Sequence, residues 1–146
     1  MMLALLLIGL LLASPSQAAD LPKDVQDSLG SVTYVYISST RKDGSLSKPA
    51  EIWFLWHKGS VYVASSPKSW RAKRIRWGRP DAKIWVGKPD GPSFLAKGAI
   101  VNEPDVHPIL FKTFAQKYAG GWKSYEDSFK NGLADGSRVL IRYTPK

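Results

Sequence analysis

After its first nineteen residues the chain alternates between short runs dense in β-branched and aromatic residues and polar connections rich in Gly, Asp and Lys. The dense runs predict strands over Ser31–Thr40, Ala50–His57, Ser60–Ser66, Asp81–Val86, Ser93–Val101 and Arg138–Tyr143. The second of these, AEIWFLWH, is apolar on both faces, the pattern of a strand covered on each side. Lys58-Gly59 joins it to the third, and so short a link makes the two an antiparallel hairpin. Lys88–Pro92 pairs the fourth and fifth strands in the same way, and Arg41–Ser45 carries an Asp-Gly turn signal after the first.

Helical spacing is rarer. Leu21, Val25 and Leu29 recur every four residues within Asp20–Gly30. Trp70, Arg74 and Trp77 share one face of Pro67–Trp77, where Pro67 and Ser69 suit a helix start and Gly78 and Pro80 a stop. Asn102–Asp105 is rich in capping residues and leads into Pro108–Tyr118, which Ala119-Gly120-Gly121 is expected to end. Trp122–Gly132 is ambiguous and fits a further short helix. The pattern predicts a mainly β domain over residues 20–146, a small six-stranded antiparallel barrel with two or three short helices at its ends.

The first nineteen residues follow another rule. Met1–Ala13 is uncharged and apolar, and small and polar residues follow, with an Ala-x-Ala-like site near Ala18 or Ala19. This reads as a secretory signal peptide over residues 1–19, too short to span a bilayer, which takes roughly 20 apolar residues. The expectation is an exported protein, periplasmic or secreted, with no membrane anchor after cleavage. The chain has no cysteine, which excludes disulfides, thiolate metal ligands and a Cys nucleophile; stability must come from packing, to which six Trp, six Tyr and five Phe contribute.

Charge narrows the partners. The chain carries 21 basic and 12 acidic residues, a net +9, and the excess is concentrated: Lys68, Arg71, Lys73, Arg74, Arg76, Arg79, Lys83 and Lys88 lie within one stretch whose only acidic residue is Asp81. Such a cluster favours an anionic partner. Other chemistry finds little support. The three glutamates are far apart in sequence, His57 and His107 have no metal-ligand spacing, and neither a nucleophile elbow nor a Gly-rich phosphate loop is present. What remains is Ser65-Ser66-Pro67-Lys68-Ser69-Trp70-Arg71-Ala72-Lys73-Arg74, in which hydroxyls at a strand end run into the first turn of a basic helix. That arrangement can hold a phosphate, and it is equally what an ordinary N-cap before a solvated helix face looks like.

The order of several short motifs adds to this reading. Thr40-Arg41-x-Asp43-Gly44, Ile52-Trp53-Phe54, Gly59-x-Val61-Tyr62-Val63, Ser69-x-Arg71-x-x-Arg74-Ile75 and Pro80, with Lys117-Tyr118 and a closing Arg142-Tyr143-Thr144-Pro145, resemble the flavin-binding split-barrel superfamily that includes pyridoxamine 5'-phosphate oxidase. Glu51–Phe54 and Ser69-Trp70 are also similar to its deazaflavin-dependent nitroreductase-like branch. The resemblance implies a six-stranded split β-barrel, a homodimer, and FMN or a deazaflavin whose phosphate sits at the junction of the third strand and the helix. By position, Ser65, Ser66 and Ser69 would donate to the phosphate, with Arg71 where the family usually has Lys, and Lys73 and Arg74 beside it. Trp53 and Phe54 would flank the flavin ring, chiefly through strand backbone. The implied activity is hydride transfer between flavin and a small organic substrate, with no side chain required as acid or base. FMN is the expected cofactor of an exported protein. Two alternatives are a haem-binding split barrel with His57 or His107 as axial ligand, and a non-enzymatic basic domain using Trp70 and Trp77 to hold nucleic acid or anionic lipid, without sequence specificity.

Overall fold

In the computed structural model, which describes residues 20–146, the apolar run Ala50–His57 forms two strands instead of one, and much of the architecture follows from that break. In chain order the strands are β1 (Val35–Ser39), β2 (Ala50–Ile52), β3 (Leu55–His57), β4 (Ser60–Ser65), β5 (Asp81–Val86), β6 (Ser93–Val101) and β7 (Val139–Pro145). The helices are α1 (Lys23–Leu29), α2 (Trp70–Arg76), α3 (His107–Lys117) and α4 (Ala119–Asp135). All strands join one antiparallel sheet in the order β2-β1-β5-β6-β7-β4-β3. β2 and β3 therefore occupy opposite ends of the sheet, yet only Trp53 and Phe54 separate them in sequence. The sheet has to curl until its two ends lie together, a half-barrel of seven strands where the sequence pattern predicts six.

The break is held by side chains. Phe54 is fully buried, its N–H donates to Tyr118 Oη at 3.1 Å and its carbonyl accepts from Lys117 Nζ at 3.2 Å. Both main-chain groups, which a continuous strand would have paired with a neighbour, are thus satisfied from the end of α3. Tyr118 Oη donates in turn to the Thr33 carbonyl at 2.6 Å, tying the break to the approach of β1. The expected hairpin follows at once: Lys58 (φ 48°) and Gly59 (φ 77°) both take the left-handed conformation of a two-residue turn, and β3 pairs with β4 from Leu55↔Tyr62 to His57↔Ser60.

Two apolar layers lie on either side of the curled sheet. Val35, Ile37, Val61, Val63, Ile84 and Ile141 fill one, together with Phe54 and Ala72 of α2. The other is largely aromatic: Leu110, Phe114, Tyr118, Trp122 and Phe129 of the α3–α4 hairpin and its junction pack on Leu55, Tyr62, Ala64 and Leu140. β4 feeds both layers, so all six of its residues are buried.

The helices depart from expectation in one place. α3 ends at Lys117 as the pattern predicts, but Ala119-Gly120-Gly121 opens the seventeen-residue α4 instead of ending the helical region, and Tyr118 (φ −119°, ψ 37°) is the break between the two. Gly121 has a packing reason: a Cβ there would lie 3.2 Å from two carbons of the Trp53 indole. The chain thus has four helices among the described residues, against the expected two or three. The signal-peptide segment, residues 1–19, lies outside the described residues. Among those described, no helix is long and apolar enough to cross a membrane.

Candidate functional site

Where β2 and β4 fail to pair, the seam of the sheet opens into a cleft of about 310 Å³. Glu51, Ile52 and Trp53 form one side and Ala64, Ser65 and Ser66 the other; Ser69 and Arg71 lie at one end, Phe129 and Arg138 at the other. Trp53 is half-buried and fixed by its neighbours: its ring stacks on Tyr118 with centroids 4.2 Å apart and planes 6° from parallel, and meets Tyr125 edge-on at 5.7 Å. Each such aromatic pair contributes about 0.5–1.5 kcal/mol beyond its buried area. The indole is a rigid wall.

Arg71 sets the electrostatics. It leaves the first turn of α2 toward β4, and its Nη1 donates to Ser65 Oγ at 3.0 Å. Burial pulls its pKa below the ordinary arginine value, opposed in part by the nearby Tyr143. Desolvated cations normally have a carboxylate partner. Arg71 takes part in none of the ion pairs among the described residues. Tyr143 shares its surroundings: the ring is buried, Oη has no hydrogen-bond partner among the described residues, and burial pushes its pKa up to about 12.

Ser69 and Arg71 also line a second cleft, of about 390 Å³, on the other side of the α2 start. Ser39, Arg41, Ser47, Lys48, Trp70 and Arg74 contribute to its walls, and no carboxylate among the described residues does. Arg74 Nη1 donates to Ser39 Oγ at 2.7 Å.

The structure divides the residues singled out from sequence. Trp53, Ser65, Ser66, Ser69 and Arg71 come together at the first cleft, and Arg74 lies in the second. Lys73 lines neither; its Nζ sits over the Trp70 ring, 4.9 Å from the centroid. Phe54 lines neither as well, being sealed under Lys117 Nζ, 3.6 Å from its ring centroid, with both backbone polar groups engaged. All three serine oxygens already accept a hydrogen bond: Ser65 Oγ from Arg71 Nη1 at 3.0 Å, Ser69 Oγ from the Ala72 N–H at 3.3 Å as the α2 cap, and Ser66 Oγ from the Lys68 N–H at 3.1 Å. Each hydroxyl proton remains able to donate. His57, 6.2 Å from the Tyr62 ring, and His107, 6.2 Å from Phe111, line neither cleft. No group of three His, Asp or Glu residues able to hold a metal occurs among the described residues. Sequence reasoning missed Arg138, Lys48 and the placing of Arg41, although Arg41 lies in the first motif quoted; nothing local in the sequence marks the other two.

Solved structures share this architecture at low sequence identity. A Listeria innocua protein given as a candidate pyridoxamine 5'-phosphate oxidase superposes with a TM-score of 0.60 at 12% identity, over 85% of this chain and 92% of its own. The chain has the pyridoxamine 5'-phosphate oxidase-like fold. An F420 reductase gives a TM-score of 0.56 at 18% identity over 86% of this chain and 96% of its own. HutZ, the haem storage protein from Vibrio cholerae, gives 0.53 at 14% over 88% and 92%. No family model matches the chain, and no curated protein matches it. Split barrels of one shape thus include proteins described by different ligands, and at these identities the likeness establishes the fold alone.

Proposed function

We propose that this protein is an exported, FMN-binding oxidoreductase that moves hydride between the flavin and a small organic substrate. The observation that carries the reading is the sheltered Arg71 guanidinium, without a carboxylate partner among the described residues, at one end of an aromatic-walled cleft. The residues present fit the group. Arg71, with Ser65 and Ser66 beside it, would hold the phosphate, a bidentate match between guanidinium and phosphate oxygens. Trp53 would face the ring system, and Arg138 lies at that end of the cleft to meet a polar ring edge or an anionic substrate. A bound flavin supplies the hydride chemistry; the protein binds, orients and excludes water. The cleft falls within the roughly 300–1,000 Å³ typical of small-ligand sites. Flavin is favoured over haem because neither histidine lines either of these two clefts. Secretion through residues 1–19 and assembly as a homodimer belong to the same proposal.

The test is the visible spectrum of the protein purified from a flavin-producing host, followed by FMN titration. Flavin absorbance that is lost with Arg71→Ala is the expected result, as is a mature N-terminus at Ala19 or Asp20. A colourless protein that FMN does not reconstitute would sink the reading. A Soret band would move the assignment to haem, and reconstitution by a deazaflavin alone would move it to that cofactor.

A further inference from the structure

We propose that the second cleft is a nucleoside-diphosphate site, with Arg41, Lys48 and Arg74 on the phosphates and Trp70 beside the base. Arg41, Lys48, Arg71 and Arg74 line it; among the described residues no carboxylate does, and none of the ion pairs involves any of the four. Two of the guanidinium groups are positioned in advance: Arg74 by Ser39 Oγ at 2.7 Å, Arg41 by the Leu46 carbonyl at 2.8 Å. Each bond uses one of the five N–H donors that an arginine carries, leaving the others for phosphate oxygens.

Size and shape select the ligand class. The volume of about 390 Å³ exceeds what one phosphate fills, and the cations are spread over the β1 end, the following loop and α2, a distribution that suits two linked phosphates. Trp70 is 61% exposed, an uncommon state for an indole, while lining the same cleft. Arg74 and Lys73 lie over its ring, 5.3 Å and 4.9 Å from the centroid, and Trp77 meets it edge-on at 6.3 Å, so a base would stack in exchange for a cation on one face. An indole beside a cationic cleft is a stacking platform for a nucleobase.

The shared Ser69 and Arg71 make the two clefts neighbours. Two sources of the diphosphate follow: the adenylyl half of a flavin dinucleotide reaching over from the first cleft, or a nicotinamide dinucleotide bound beside FMN. That step rests on the flavin reading; the diphosphate site itself does not.

ADP is the probe, titrated into the purified protein by calorimetry at low salt, with inorganic pyrophosphate in parallel. ADP is expected to bind, with its affinity falling steeply as salt is raised. Arg41→Ala with Lys48→Ala should weaken ADP and pyrophosphate alike by about 10-fold or more. Trp70→Ala, at an exposed position that leaves the fold intact, should weaken ADP by about 10-fold and spare pyrophosphate. Absence of ADP binding, or ADP binding that all three substitutions leave unchanged, would overturn the site. Displacement of both ADP and FMN by FAD would identify the first source; displacement of ADP by NADH or NADPH with FMN retained would identify the second. Failure of FMN to bind while ADP binds would remove the flavin reading and leave this one standing.

Discussion

Arg71→Met separates a structural arginine from a ligand-binding one, because the two roles predict opposite changes in stability and binding. In the ligand-free protein the substitution removes a hydrogen bond to Ser65 Oγ, and the hydroxyl of a buried serine left without that partner costs about 1–3 kcal/mol. It also removes a desolvated charge with no counter-ion among the described residues, whose burial costs up to several kcal/mol. The two nearly cancel, so unfolding of the free protein should shift by no more than about 1 kcal/mol, roughly 4 °C for a domain of this size. Binding should change far more. Loss of charge-assisted bonds to a phosphate, at about 1.5–3 kcal/mol, weakens FMN on the order of 10- to 100-fold. With FMN at about 100 times its wild-type Kd, ligation stabilises the wild type by about 2.7 kcal/mol, near 10 °C. At the same concentration a variant weakened 100-fold gains only about 0.4 kcal/mol. The assay is thermal unfolding with and without FMN, with a fluorescence titration for Kd. If Arg71→Met unfolds the free protein by several kcal/mol and keeps the wild-type FMN shift, Arg71 is a strut between α2 and β4, and the phosphate assignment fails.

Three further outcomes test the frame around the site. Gly98→Ala would place a Cβ 2.9 Å from Ile75 Cδ1 and Tyr143 Cε1, and should cost about 1–3 kcal/mol in chemical denaturation. Tyr118→Phe leaves the buried Phe54 N–H without its acceptor and the Thr33 carbonyl without its donor, so a loss of at least about 1–3 kcal/mol is expected, and a Tm within a degree of wild type would refute the strand-break account. Burial lowers the Lys117 pKa to about 8, so between pH 8 and the usual lysine value the unfolded chain binds more protons and stability should rise with pH. With partial exposure discounted, that rise is about 0.5–1 kcal/mol from about pH 8 to about pH 9, below the range in which the tyrosines of the unfolded chain titrate, and Lys117→Met should abolish it when denaturation curves at those two pH values are compared.

Most strands were legible because their signals are local. Lys58-Gly59 specifies its turn wherever it stands, and the alternation in Asp81–Val86 appears directly in its burial pattern. The two departures have a common cause in Trp53. Nothing within AEIWFLWH marks Trp53-Phe54 as a break, since a strand interior would have the same composition; the break is stabilised by Lys117 and Tyr118, sixty-odd positions away. Likewise Gly120-Gly121 reads as a stop until the indole of Trp53 is placed against Gly121, after which the absent Cβ is a matter of close approach. Local propensity was overridden by tertiary contact in both places.

The site's legibility follows the same division. Ser65, Ser66, Ser69 and Arg71 were found together because they are neighbours in sequence, and a strand-to-helix junction keeps such neighbours together. Arg41, Lys48 and Arg138 reach the clefts from distant segments, which a one-dimensional pattern does not pair. The strand break and the cleft are moreover one event. If Ala50–His57 ran as a single strand along one edge, β2 and β3 could not lie at opposite ends of the sheet, and Trp53 would not stand across the seam from Ser65 and Arg71. The contacts that hold Phe54 to the end of α3 therefore place the aromatic wall of the cleft relative to its cation. They make Lys117 and Tyr118 part of the site's geometry although neither side chain lines it.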